Sequence, residues 1–330
     1  MRISIDEAHV LARAALATAG YDDTESEIIA DHMIGCELRG VSNGGLSRTL
    51  SVVERVRAEG GHKRRMRTMH ESPLSIRIDG GGDVGYLVGH EAIEQVIEKA
   101  KLNGLAVAAC SNTWYTGMFA HYMERIALAG FVAILAGSSA WRVAPWGSTE
   151  GRFGTNPIAF AFPGDDEPIV ADIGTSALTI SEATLAARLG QNLPEGVAYD
   201  RHGNQTVNPT EALEGAIAVW GGHKGSALAT CVQLLGLLGG GDVEPKAEND
   251  CSFFVFVLKP ELLLSEEQYR SSVAGYAEAV RGASGFNGAQ VKMPFDRSRQ
   301  VRQAALTAKS IEVADVVVHS LRQIVGDGIS

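Results

Sequence analysis

Gly154-Thr-Asn-Pro157-Ile-Ala-Phe-Ala-Phe162 sets a hydroxyl and an amide directly ahead of an apolar run, and Gly221-Gly-His-Lys-Gly225 sets an imidazole and a cation ahead of another. The first reads as a polar loop feeding a buried strand over residues 157–162. The second reads as the start of an apolar helix over residues 224–238, where unpaired backbone N–H groups favour anions such as a dinucleotide pyrophosphate. Between them, Asp172-Ile-Gly-Thr-Ser176 follows a short apolar strand at 168–171. Upstream lie two more irregular polar segments, Arg39-Gly-Val-Ser-Asn-Gly-Gly-Leu-Ser-Arg48 and Asn112-Thr-Trp-Tyr-Thr-Gly117. Polar loops between apolar elements are where binding groups collect on a rigid scaffold.

Outward from these segments the pattern is α/β with helical ends. Ser4-Ile-Asp-Glu7 has the form of a capping box, and Gly20 stops the helix it opens. Helices are expected at 24–38, 46–59, 89–103, 117–129, 265–281 and 311–325, the last packing on the N-terminal layer. Strands are expected at 74–78, 105–109, 131–136 and 253–258. This divides the chain into residues 1–75 with 260–330, a helical and dimerisation domain, and 76–259, an α/β cofactor- and substrate-binding region.

The 330 residues carry a formal charge of −10, which argues against nucleic acid or an anionic membrane as partner. The basic run at 62–67 follows Gly60-Gly61 and reads as a solvated loop. The N-terminus has no apolar signal core, and the apolar stretch at 226–238 is too short to span a bilayer, so a cytoplasmic protein is expected. Cys36, Cys110, Cys231 and Cys251 form no C-x-x-C pair and read as buried thiols, with no metal site. Gly80–Gly82 and Gly236–Gly241 do not match the Rossmann fingerprint and read as turn glycines. No nucleophile elbow, H-E-x-x-H, EF-hand or Walker A loop is present.

Five segments in order carry a more specific signal. Ala144-Pro-Trp-Gly147, Gly154-Thr-Asn-Pro157, Asp172–Ser176, Leu193-Pro-Glu-Gly196 with Asp200, and Gly222-His-Lys-Gly225 resemble the malate/L-lactate dehydrogenase-like family. That family includes ureidoglycolate, sulfolactate and diketogulonate oxidoreductases and the Δ1-pyrroline-2-carboxylate/Δ1-piperideine-2-carboxylate reductases. The resemblance runs from the first helix to about residue 240 and more loosely to the end. It implies a non-Rossmann nicotinamide-binding fold, with a mixed-sheet domain and a helical domain from both chain ends. It also implies an oxidoreductase using NAD or NADP, and a homodimer with its site in a cleft between domains. By the same resemblance Asp172, Ile173, Gly174, His223, Lys224, Thr116, Gly117, Pro294 and Asp296 would meet the cofactor, and Arg48, Thr155, Thr175 and Ser176 the substrate. Arg48 suits the task chemically, since a guanidinium grips a carboxylate through two parallel hydrogen bonds.

The departures concern catalysis. The family's proton donor is a histidine in Arg-Gly-Ile-x-Ser-His-Gly-x-x-Arg. On Arg39–Arg48 its serine falls on Asn43 and its histidine on Gly44. A second family histidine falls on Tyr115. The position that is often lysine in the hydroxyacid enzymes and acidic in the ketimine reductases falls on Glu182. Pro294-Phe-Asp296 stands where the family has Pro-Gly-Glu. Tyr115, Glu182 and Asn43 are therefore the candidates for catalysis. A phenol with an ordinary pKa near 10 is a poor acid at neutral pH, whereas a cyclic ketimine can enter already protonated. The expected substrate is thus a small 2-imino acid, a cyclic ketimine such as Δ1-pyrroline-2-carboxylate. The alternatives are a 2-hydroxyacid (malate- or lactate-like) dehydrogenase, and a family member that kept the cofactor fold but lost catalysis.

Overall fold

The structure, a computed structural model, describes residues 1–62, 66–165 and 167–327. In chain order its elements are β1 (Arg2–Ser4), α1 (Ile5–Ala17), α2 (Asp23–Leu38), α3 (Leu46–Ala58), β2 (Arg67–Glu71), β3 (Ser75–Val84), α4 (Gly85–Asn103), β4 (Leu105–Trp114), α5 (Phe119–Leu128), β5 (Val132–Ser138) and β6 (Val143–Ala144). There follow β7 (Ile158–Phe162), β8 (Ile169–Ile173), α6 (Ile180–Leu189), β9 (Ala198–Tyr199), α7 (Pro209–Glu214), β10 (Ala216–Ala218), α8 (Gly222–Gly236), β11 (Cys251–Leu258), α9 (Glu266–Arg281), α10 (Asp296–Ala308), β12 (Ser310–Glu312) and α11 (Asp315–Asp327).

Alternation along the strands decides what covers the sheet. Phe253, Val255 and Val257 of β11 bury one face with Ala106, Ala108 and Cys110 of β4 and Ala133 and Leu135 of β5, against side chains of α4 and α5. The small alanines let the two helices approach the sheet closely. Residues of opposite parity, Ile134, Ala136, Ile158 and Phe160, meet Val232, Leu228 and Leu235 of α8 on the other face. The seven strands run in the order β2-β3-β4-β11-β5-β7-β8. Within this sheet only β3 and β4 pair in parallel, joined by the crossover helix α4 as parallel neighbours require. This is a mixed sheet with no doubly wound Rossmann core.

The N-terminal helices form a separate layer. Leu16, Ile29, Met33, Leu46 and Val53 of α1–α3 pack with Val318 and Leu321 of α11, as the sequence suggests for the last helix. β1 and β12 tie the two chain ends antiparallel, Ile3 opposite Ile311. Ser4 caps α1 by accepting the Glu7 N–H at 3.0 Å. Glu7 does not turn back to complete the box; its carboxylate takes Arg322 at 2.6 Å. A third cluster, around Val143, Leu178, Leu193, Ala198 and Ile217, unites α6 and α7 with the small sheet β6-β10-β9.

Three sequence expectations are corrected. Gly80–Gly82 do not make a turn: they lie inside β3, where the register against β4 shifts between Asp79 and Asp83. A Cβ on Gly80 would come within 2.7 Å of the Asn112 carbonyl oxygen, so this crossing of strands needs glycine. Cys231 is exposed on the solvent side of α8, while Cys36, Cys110 and Cys251 are buried. In the basic run, residues 63–65 lie outside the described residues, but His62 is not solvated. Its side chain is 7% exposed, with its ring nitrogens 3.2 Å from Glu25 and 3.5 Å from Asp83, and it stacks on Tyr21 at 4.2 Å.

Candidate active site

Strand directions gather the polar segments at one edge of the sheet. There β3, β4, β5 and β8 end, and β7 and β11 begin. Strand-end crevices of this kind are where open α/β sheets hold ligands. With α3 and the turn before it as the opposite wall, the edge encloses a cavity of about 1110 Å³.

Arg48, on the first turn of α3, is 8% exposed and opens into this cavity. Its guanidinium lies 4.1 Å over the Tyr115 ring. No carboxylate pairs with it among the described residues. Its helix is aimed by Glu37, whose carboxylate accepts the Leu46 N–H at 2.8 Å. A Cβ on Gly45 would run into that carboxylate, so the approach requires glycine. Burial pushes the Glu37 pKa up to about 7, against the Leu46 and Ser42 hydrogen bonds.

Tyr115 follows β4 with φ +51°, a conformation a non-glycine residue seldom takes. The bend lays its ring across the cavity wall, edge-on to Trp114 at 5.0 Å, and Arg55 lies 4.2 Å over the Trp114 ring. Thr116 and Gly117 line the cavity beside it, as do Asn43, Thr155, Ile173, Gly174 and Pro294. Asn43 donates to Ser181 Oγ at 2.8 Å and Thr179 Oγ1 at 3.3 Å, joining the turn before α3 to the start of α6.

Asp172 faces the cavity as well. Its carboxylate accepts the Ala120 N–H at 2.8 Å, at the N-terminus of α5. Desolvation raises its pKa to about 6, opposed by N–H bonds from Ala120 and Phe119.

The remaining sequence candidates lie elsewhere. Glu182 is exposed and turned onto its own helix start, taking the Thr179 N–H at 2.6 Å and the Thr179 hydroxyl at 2.8 Å. Thr175 is fully buried and donates to the Thr155 and Asn156 carbonyls, both at 3.1 Å; Ser176 is buried beside it. His223 and Lys224 are exposed on the first turn of α8 and do not line the cavity. Asp296 is paired with Arg281 at 2.8 Å and accepts the Met293 N–H at 2.9 Å. Beside it Phe295, in the left-handed region at φ +77°, lines the cavity with Arg39 stacked 5.5 Å from its ring.

Among the described residues no histidine lines the cavity. His32 comes near but is buried, and its Nε2 accepts the Met118 N–H at 2.9 Å. Desolvation, then the charges of His121 and Arg39, holds its pKa well below the usual histidine range, so it stays a neutral acceptor. Sequence reasoning missed several lining residues: Arg142, Arg188 with its partner Glu54 at 3.0 Å, and Cys251. Arg142 stands two residues before the Ala144-Pro-Trp-Gly147 segment, so an unexplained arginine beside a recognised motif was the available signal. Among the described residues no group of three or more His, Cys, Asp or Glu could hold a metal, and no helix is long and apolar enough to cross a membrane.

Fold and cavity together define a non-Rossmann α/β protein with an arginine-lined cleft at the strand ends of its main sheet. The model of the malate/L-lactate dehydrogenase family matches residues 3–322, and the chain belongs to that family. It is therefore an oxidoreductase of the family's type. It is 30% identical over 285 residues to a malate dehydrogenase of Pyrococcus horikoshii, covering 81% of this chain and 79% of that one. It is likewise 30% identical over 316 residues to Δ1-pyrroline-2-carboxylate reductase 1 of Burkholderia ambifaria, covering 92% of each. A solved dehydrogenase structure from Sinorhizobium meliloti superposes with a TM-score of 0.90 at 27% identity over 98% of both chains.

Proposed function

We propose that the protein uses NADH or NADPH to transfer hydride to a small 2-imino acid, a cyclic ketimine such as Δ1-pyrroline-2-carboxylate. The observation that carries this reading is the buried, unpaired Arg48 in a cavity lined by no histidine among the described residues. Arg48 would take the substrate carboxylate through its planar fork. The nicotinamide supplies the hydride. Thr116, Gly117, Ile173, Gly174 and Pro294 line the part of the cavity that the resemblance gives to the cofactor. A protonated imine brings its own proton, so the chain needs to orient and shield it rather than supply an acid. Glu182 no longer supports this reading, because its carboxylate serves the helix cap. The test is a panel of cyclic imines and 2-oxo acids assayed with both cofactors.

A second reading, a 2-hydroxyacid dehydrogenase, is favoured by one observation. Asp172, with its pKa raised to about 6, is a cavity group able to hold a proton close to neutrality. In this reading it would protonate the developing alkoxide. Reduction of a 2-oxo acid then needs the protonated form, so kcat falls as pH rises through about 6, and Asp172→Asn loses that dependence. For an imine the profile would follow the substrate's own ionisation and survive the substitution. We further propose a cytoplasmic homodimer assembled through the region of residues 1–75 and 260–330, with 76–259 carrying the site. Leu263 at 83% and Phe286 at 87% exposed are side chains such an interface would cover.

A further inference from the structure

The residues that carry the chain from β4 into α5, Tyr115 to Met118, all line the cavity. Tyr115 and Gly117 sit in the left-handed region, at φ +51° and +79°, and Met118 makes no side-chain cap for the helix it precedes. The first N–H groups of a helix need acceptors from elsewhere. Asp172 of β8 supplies them for Phe119 and Ala120. His32 of α2 supplies one for Met118, whose N–H donates to Nε2 at 2.9 Å.

The ring of His32 is closely enclosed. It is 2% exposed, with the Tyr86 ring at 4.7 Å, His121 at 4.4 Å and Tyr122 at 5.1 Å. Gly117 lets the cavity segment come close to it, since a Cβ there would run into Nε2 and the Tyr86 ring. Imidazole accepts through Nε2 only while that nitrogen carries no hydrogen, and both nitrogens carry one in the cation. The groups around the ring keep it neutral. Its own helix brings the Arg39 guanidinium, paired with Glu124. Helix α4 brings Tyr86, and α5 brings Tyr122 and His121, the latter 3.7 Å from Asp31. Burial first, then the charges of His121 and Arg39, hold the pKa of His32 well below its ordinary 6.5. The positive end of α5 opposes a cation there as well.

We infer that His32 is a positioning residue of the active site: as a neutral acceptor for the Met118 N–H it fixes the Tyr115–Met118 segment, and with it the Tyr115 floor under Arg48 and the Thr116–Gly117 wall of the cavity. This rests on the cavity being the site of the proposed hydride transfer. Protonation would turn Nε2 into a donor facing a donor, so acid unlocks the segment. The folded-state value lies below the unfolded one. The stability contributed by the neutral ring is therefore complete above about 6.5 and is lost as pH falls toward the lower folded value.

The test is equilibrium binding of NADH, NADPH and pyrrole-2-carboxylate (a planar, unreactive cyclic acid) to the full chain, to His32→Gln and to His32→Leu. Steady-state reduction of a cyclic ketimine runs alongside. Glutamine can present an oxygen where Nε2 stands and does not titrate, whereas leucine fills the space and accepts nothing. At neutral pH His32→Leu should bind the acid about tenfold or more weakly, because a buried N–H loses its acceptor, while His32→Gln stays within about threefold. Between about pH 7 and about pH 4.5 the unsubstituted protein should lose affinity and His32→Gln should lose much less. Full affinity in His32→Leu, or equal losses in the two variants, overturns the inference and reduces His32 to packing. If His32→Leu does not fold, the acid profile decides: the same profile in His32→Gln as in the unsubstituted protein also overturns it. The two claims separate. Binding that follows His32 without any turnover keeps the inference and removes the hydride-transfer reading, while turnover indifferent to His32→Leu removes only the inference.

Discussion

Arg48 and Tyr115 act as one unit, because the ring forms the floor on which the guanidinium lies. A cation held over a ring contributes about 0.5–2 kcal/mol, depending on how far it is desolvated. Tyr115→Phe keeps the ring and should leave KM within about twofold, while Tyr115→Ala removes the floor and should raise KM by about 2- to 30-fold. Arg48→Lys should raise KM further with cofactor affinity nearly unchanged, since lysine lacks the fork. Kinetics and dinucleotide titration on the three variants check this. A large kcat loss in Tyr115→Phe would instead make the hydroxyl a proton donor. At this scale the sequence was informative about residue type and weak about direction. The family resemblance picked out Arg48, Tyr115, Asn43 and Thr155, which the fold brings to one cavity. It could not tell that Glu182 would fold back onto Thr179, or that Thr175 would spend its hydroxyl on the Thr155 and Asn156 carbonyls. Such choices depend on which unsatisfied backbone groups lie nearby, and those exist only in the folded chain.

At the scale of elements, the turn from Ser42 to Gly45 and the start of α3 depend on Glu37. Its pKa is raised from an ordinary 4.5 to about 7, so the folded state prefers the protonated carboxyl. That preference stabilises the fold fully at acid pH and is lost as pH rises through about 7. Glu37→Gln keeps an acceptor for the Leu46 N–H without the charge. Between about pH 5 and pH 8 the Tm of the unsubstituted protein should fall, and that of Glu37→Gln should fall less. Parallel profiles would mean that Glu37 is not desolvated as its surroundings suggest. Among the elements legible in the sequence, β4, β5, β7 and β11 and the helices α2, α3, α4 and α8 carry the burial pattern in their own residues. Those missed lack it. All five residues of β2 are exposed, α10 buries none of its residues, and α6 buries only Ala183. The pairs and triplets β1, β6, β9, β10 and β12 are strands only because a distant partner lies alongside. No local window contains that information.

At the scale of the molecule, sheet order turns scattered motifs into one site. Segments far apart in the chain, such as those at Asn43–Arg48, Tyr115–Gly117 and Pro294, converge because strand ends share an edge and the helical layer closes over it. The family resemblance anticipated this convergence; periodicity alone gave the strands without their order. It also anticipated a contact of His223 and Lys224 with the cofactor, whereas both are exposed on α8 and line no part of this cavity. On the proposed reading, the unpaired Arg48 holds the acid, and the absence of a cavity histidine among the described residues leaves the proton to arrive with the substrate. The measurement that tests this most directly is the loss of reduced nicotinamide absorbance on adding cyclic ketimines or 2-oxo acids to the purified protein, with NADH and NADPH in turn. The account predicts turnover of a cyclic 2-imino acid with kcat/KM about tenfold or more above that of the corresponding 2-oxo acid, a margin of about 1.4 kcal/mol. Oxidation of neither cofactor with any of these acids, or a preference for the 2-oxo acids, would contradict it.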